Sequence, residues 1–98
     1  MLKTTGHFET ALGSRYLQQI CKHFGHKVEA SFDERQGSIR FPFGNVALTT
    51  DATRLTIAIT AGTEEALATG RNVIDSHLER FAFREAFAGM DWGTPETA

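Results

Sequence analysis

From Val28 to Thr60 the chain alternates apolar and polar side chains, and three turn signals cut that alternation into four short lengths. A period of two is the repeat of a β-strand with one buried face. Val28, Ala30 and Phe32 fall on one side and Glu29, Ser31 and Asp33 on the other; Glu34-Arg35-Gln36-Gly37 then reverses the chain. Ile39, Phe41 and Phe43 point inward and Arg40 and Pro42 outward, with Gly44-Asn45 as a two-residue hairpin signal. Val46 and Leu48 continue the inner face, Asp51-Ala52-Thr53 turns again, and Leu55, Ile57 and Ile59 complete a fourth strand. Turns this short leave no room for a crossover helix, so the segment is an antiparallel meander.

The flanks have a different period. Residues Leu2 to Glu9 alternate loosely, as a first strand would, and Leu17, Ile20, Cys21 and Phe24 then recur at helical spacing. Thr10 or Ser14 is the expected cap of that helix, and Gly25 its expected left-handed terminator. After the meander, Thr63 is placed to cap a longer helix whose first turn holds Glu64 and Glu65 and whose apolar stripe is Leu67, Gly70, Ile74, Leu78 and Phe81. The order is β-α-β-β-β-β-α. Each helix has one apolar stripe, so both cover the same sheet face in a two-layer α+β sandwich. Residues 1–92 form one domain and 93–98 a flexible tail. The other sheet face would carry Ser31, Arg40, Ala47, Thr49, Thr56, Ala58 and Thr60, too polar for a second core and small enough for a homodimer contact.

Charge excludes several partners. Ten basic against twelve acidic residues leave a net −2 over 98 residues, which offers no general field to nucleic acid or anionic lipid. No apolar run approaches a membrane span, a single cysteine permits no internal disulfide, and the residues after Met1 lack an apolar signal core, so the expected location is the cytoplasm.

No Gly-x-Ser-x-Gly elbow, glycine-rich phosphate loop, CxxC or HExxH motif is present, so hydrolase, nucleotide-binding and zinc-protease readings lack their parts. Four histidines remain. His23 and His26 stand three apart, but Gly25 interrupts the helix between them, and no metal site is expected. His77 falls beside the apolar stripe of the second helix and is the first choice for a functional side chain; His7 is a third candidate, on either sheet face. Cys21 lies inside an apolar stripe, where a thiolate is disfavoured. Arg15, Lys22 and Lys27 run along and beyond the first helix, and Arg71, Arg80 and Arg84 punctuate the second. Should the end of the first helix meet the middle of the second, Lys22, His23, His26, His77 and Arg80 would converge on a cationic pocket edged by Phe24, Phe41 and Phe43. Such a pocket suits an anionic, aromatic or metal-chelating small molecule. Arg80 is also expected to be a structural anchor, its stem covered by Phe81 and Phe83.

The segments Ser14 to Val28, Ile39 to Gly44 and Asp75 to Glu85 resemble the bacterial family catalogued as domain of unknown function 2218, over Met1 to about Trp92. Such domains are similar to the N-terminal part of some siderophore-interacting proteins, which are flavin-dependent ferric reductases. The resemblance implies a small accessory or ligand-binding role linked to iron or siderophore handling, with a flavin-dependent reductase as a partner. It ties that role to Arg15, Tyr16, Lys22, His23, His26, His77, Glu79, Arg80, Phe81 and Arg84. No cofactor is assigned. Two alternatives stand beside it: an enzyme with His77 as general base, assisted by Glu79 or Arg80, and a dimeric interaction domain.

Overall fold

A computed structural model describes all 98 residues. β1 (Leu2–Glu9) is followed by α1 (Gly13–Phe24), and the alternating segment then forms β2 (Glu29–Phe32), β3 (Gln36–Phe41), β4 (Gly44–Thr50) and β5 (Arg54–Ala61). Each meander strand pairs antiparallel with the next, and β1 joins β5 with Thr4 opposite Ile59 and Phe8 opposite Leu55. α2 (Glu64–Phe81) and a single 3₁₀ turn (Phe83–Glu85) lead to β6 (Asp91–Trp92) and β7 (Glu96–Thr97). Both last strands lie along the outer edge of β1, so an open seven-stranded antiparallel sheet runs from β2 to β6. Two helices on one face of an antiparallel sheet are the expected α+β sandwich.

The core follows the sequence pattern. Ile39, Val46, Leu48, Leu55, Ile57 and Ile59 of the sheet, Leu17, Ile20 and Cys21 of α1, and Leu67, Ile74 and Leu78 of α2 are all buried together. Each large aliphatic side chain so enclosed contributes roughly 1.5–3 kcal/mol. Thr63 caps α2 as expected, its hydroxyl accepting from the Ala66 N–H at 3.1 Å. No helix is long and apolar enough to cross a membrane.

Three local expectations change. Neither Thr10 nor Ser14 caps α1: the cap position is Leu12, and the Ser14 hydroxyl instead donates to the Glu34 carbonyl at 2.6 Å. Gly25 is right-handed, φ −61°, because the chain turns on: the Lys27 and Val28 N–H groups both reach back to the Phe24 carbonyl at 2.9 Å. The β3–β4 turn is Pro42-Phe43 rather than Gly44-Asn45, since Phe41 pairs directly with Gly44. Glycine at that position serves contact between strands: a Cβ there would stand 2.3 Å from the Thr60 carbonyl oxygen.

The final residues, expected as a loose tail, are hydrogen-bonded along β1. Gly93 N–H donates to Thr5 O at 2.8 Å, Ala98 N–H to Met1 O at 3.0 Å, and β7 sets Thr97 opposite Leu2. The Trp92 ring lies over Gly6 so closely that a Cβ on Gly6 would approach Trp92 Cε3 to 2.6 Å.

Candidate functional site at the helix seam

α1 and α2 meet with opposite polarity. The last turn of α1 faces the second turn from the end of α2, through His23 and His77, while Tyr16, one turn into α1, reaches Glu85 beyond the end of α2. The two ends of this seam have different chemistry.

At the first end aromatic and imidazole rings form a continuous chain. Phe43 stacks on Phe41 across the Pro42-Phe43 turn at 4.7 Å, Phe41 meets Phe24 edge-on at 4.8 Å, and Phe24 touches both His77 at 4.7 Å and His23 at 4.9 Å. His23 and His77 are themselves 4.9 Å apart, with Phe81 about 6 Å from each. The His77 Nδ1–H donates to the Val73 carbonyl at 2.7 Å, which fixes the ring and leaves Nε2 as a free acceptor. Desolvation of the His23 ring lowers its pKa below the usual 6.5, and electrostatic repulsion from the basic side chains of His77, Lys27, Arg80 and His26 lowers it further. His77 also borders a shallow hollow of about 360 Å³ on the flank of α2, with Asp75 and Glu79 on its rim.

Of the sequence-predicted residues, His23 and His77 are therefore in contact, and Arg80 and His26 are close enough for their charge to bear on His23. Lys22 stands one turn after Gln18, which borders the β2–β3 hairpin, so it lies on the flank of α1 toward that hairpin. Arg15 is at the other end of the seam, where its charge acts on Tyr16. No three His, Cys, Asp or Glu side chains stand together. Cys21 is fully buried and its thiol is pushed up to about 11 by that burial. His7 points to the outer sheet face, with Nδ1 3.1 Å from the Thr56 hydroxyl.

The second end is closed by a carboxylate. Glu85 accepts from the Tyr16 hydroxyl and from the Thr10 hydroxyl, the latter at 2.8 and 3.0 Å to its two oxygens, while Thr10 Oγ1 accepts the Leu12 N–H at 3.0 Å. Burial, then the bond to Glu85 and its charge, push the Tyr16 phenol up to about 12, so it remains a donor. Asp75 performs a related task on the side of α2, accepting from the Met90 N–H at 3.1 Å and the Trp92 indole N–H at 3.0 Å.

These carboxylates, and not Arg80, are the structural anchors. Arg80 is exposed and forms no ion pair, and Phe83, expected to cover its stem, is 66% exposed. Sequence reasoning missed Asp75 and Glu85 because their partners lie far along the chain, 69 residues away for Tyr16 and Glu85. The one local trace is the concentration of Phe, Met and Trp after Glu85, which signals a segment that must dock.

A family described as "Uncharacterized protein conserved in bacteria (DUF2218)" matches residues 5–93. The chain belongs to that family. Both ends of the helix seam thus fall within the family's span. Among solved structures, the "NMR structure of PA4090 from Pseudomonas aeruginosa" is 31% identical, with a TM-score of 0.83 over 99% of this chain and 100% of that one. The family fold is accordingly the sandwich described above. No curated protein matches the chain.

Proposed function

We propose that this is a small cytoplasmic ligand-binding module whose ligand is an anionic aromatic molecule, including an aromatic iron chelate, held at the open end of the helix seam. The observation that carries this reading is the contact of His23 with His77, 4.9 Å between rings, on an aromatic chain reaching Phe43. Planar rings there offer stacking surface, and Arg80, Lys27 and His26 supply positive charge around it. His77 Nε2 offers one acceptor for a ligand hydroxyl. With no cluster of three protein ligands, a metal would arrive already wrapped by its chelator.

The test is a titration with 2,3-dihydroxybenzoate and its gallium complex, a diamagnetic stand-in for the ferric one, followed by the imidazole proton resonances. His23 and His77 should move together and saturate, and Arg80→Ala should weaken binding. A probe at 100 times its dissociation constant should add about 2.7 kcal/mol of stability. Imidazole signals that stay still throughout would remove this reading.

A second reading, His77 as a general base with Glu79 or Arg80 assisting, is favoured by one geometric fact. The Nδ1–H bond to Val73 holds the tautomer in which Nε2 carries the free lone pair, and the His77 side chain borders an accessible hollow. Recovery of the probe chemically changed, with turnover lost in His77→Gln, distinguishes it from simple binding.

A further inference from the structure

The two long edges of the sheet are treated differently. The outer edge of β1 is covered by β6 and β7, whereas β2 has no neighbour on its far side. The register shows which of its groups are free. Asp33 N–H donates to Gln36 O, and bonded pairs alternate in an antiparallel ladder, so Glu29 and Ser31 face β3 while Ala30 and Phe32 direct their N–H and C=O groups outward. Such an edge is a template for another strand unless it is blunted, and β2 contains neither proline nor bulge.

The sequence around Ala30 is complementary to itself when reversed. With Ala30 opposite Ala30 of a second copy, Val28 falls opposite Phe32 and Lys27 opposite Asp33. Ala30 is also a residue whose backbone groups point outward, so a twofold axis through it satisfies the bonding alternation. Phe32 is 39% exposed, and Val28 packs at the margin of the core, so their pairing covers apolar surface. Asp33 uses only Oδ1 within the chain, accepting from the Arg35 and Gln36 N–H groups at 2.8 and 2.9 Å, which leaves Oδ2 for the partner's Lys27.

We infer that β2 is a self-association edge, on which two copies of this chain pair antiparallel about Ala30 to form one continuous sheet. This differs from a dimer through the small-residue outer sheet face. The contact is small, and contacts of that size are weak.

Sedimentation across a concentration series, up to about 1 mM, tests it. The mass should rise from 10.8 kDa toward twice that value, with amide shifts confined to residues 27–33. Ala30→Pro removes an N–H that β3 does not use, so the variant should keep the folded amide spectrum and remain monomeric at every concentration. Lys27→Glu sets like charges across the axis. It should weaken the dimer at least tenfold at low salt, and high salt should recover part of that loss. A mass of 10.8 kDa throughout overturns the proposal. So does a dimer that survives Ala30→Pro in a correctly folded protein, which would place the contact elsewhere.

Discussion

At one end of the α1–α2 seam Glu85 receives the Tyr16 and Thr10 hydroxyls, and at the other His23 and His77 meet with no acid between them. Both ends join the same two helices, and both place polar side chains beside aromatic rings. They differ in whether the polar groups are satisfied. At the Glu85 end the two hydroxyls share one carboxylate and the ring of Phe8 packs between Tyr16 and Phe87. At the histidine end one ring nitrogen is bonded to a carbonyl, and the charged groups that act on His23 are all basic. A satisfied polar cluster contributes stability, whereas an unsatisfied one retains capacity for a ligand.

Three variants sharpen this contrast. The largest effect is expected from Glu85→Ala, which leaves the Tyr16 and Thr10 hydroxyls without an acceptor and frees the segment that carries Phe87. It should lower unfolding free energy by about 2 kcal/mol in urea denaturation. A midpoint equal to wild type would show that the carboxylate is mere surface. Loss of Glu85 should also let the Tyr16 phenol titrate below 12, readable by ultraviolet absorbance.

An intermediate effect of opposite sign is expected midway along the seam. Gln19 lies one turn before His23 on α1, and its Oε1 is buried with no hydrogen-bond partner. Gln19→Met keeps the length of the side chain and removes the orphaned acceptor, so it should raise stability by about 1 kcal/mol, read as a higher urea midpoint. A lower midpoint would mean that Gln19 has a partner in solution and that the unsatisfied region is confined to the histidines.

The smallest effect concerns Arg80. As an exposed residue without an ion pair it should cost no more than about 0.5 kcal/mol when changed to alanine. Its charge should be visible in the pH dependence instead. The folded His23 pKa lies below 6.5, so between that lowered value and 6.5 the unfolded chain holds more protons than the folded one. The contribution of His23 to stability is accordingly level above 6.5 and falls as the pH drops below it. Arg80→Ala should raise the His23 pKa in an imidazole NMR titration and shallow that fall. An unmoved His23 pKa would separate Arg80 from the site.

Much of the fold was legible because its signals are local. Alternation from residue 28 to 60 marks inner and outer faces through the geometry of each strand alone, and Thr63 caps α2 through a bond to a residue three positions away. The candidate site was legible in part. Helical spacing placed His77 beside the apolar stripe, but its meeting with His23 was conditional on which parts of the helices are neighbours, and Arg15 and Lys22 fall elsewhere because spacing along one helix does not reveal which flank its neighbour covers.

The features that escaped sequence reading depend on groups distant along the chain. Gly44 reads as a turn residue from its neighbours, yet its lack of a side chain is required by Thr60 on the adjacent strand. Asp75 and Glu85 read as surface acids until Trp92, Met90, Tyr16 and Thr10 are brought to them. Residues 93–98 read as a polar end until β1 presents an uncovered edge beside them. Periodicity and capping act within a few residues, so this sequence by itself determined its first five strands, its two helices and their buried faces. Which carboxylate meets which hydroxyl, which edge is covered, and where the histidines converge were decided only when packing brought distant parts of the chain within hydrogen-bond reach, because those bonds form across space and leave no periodic trace along it.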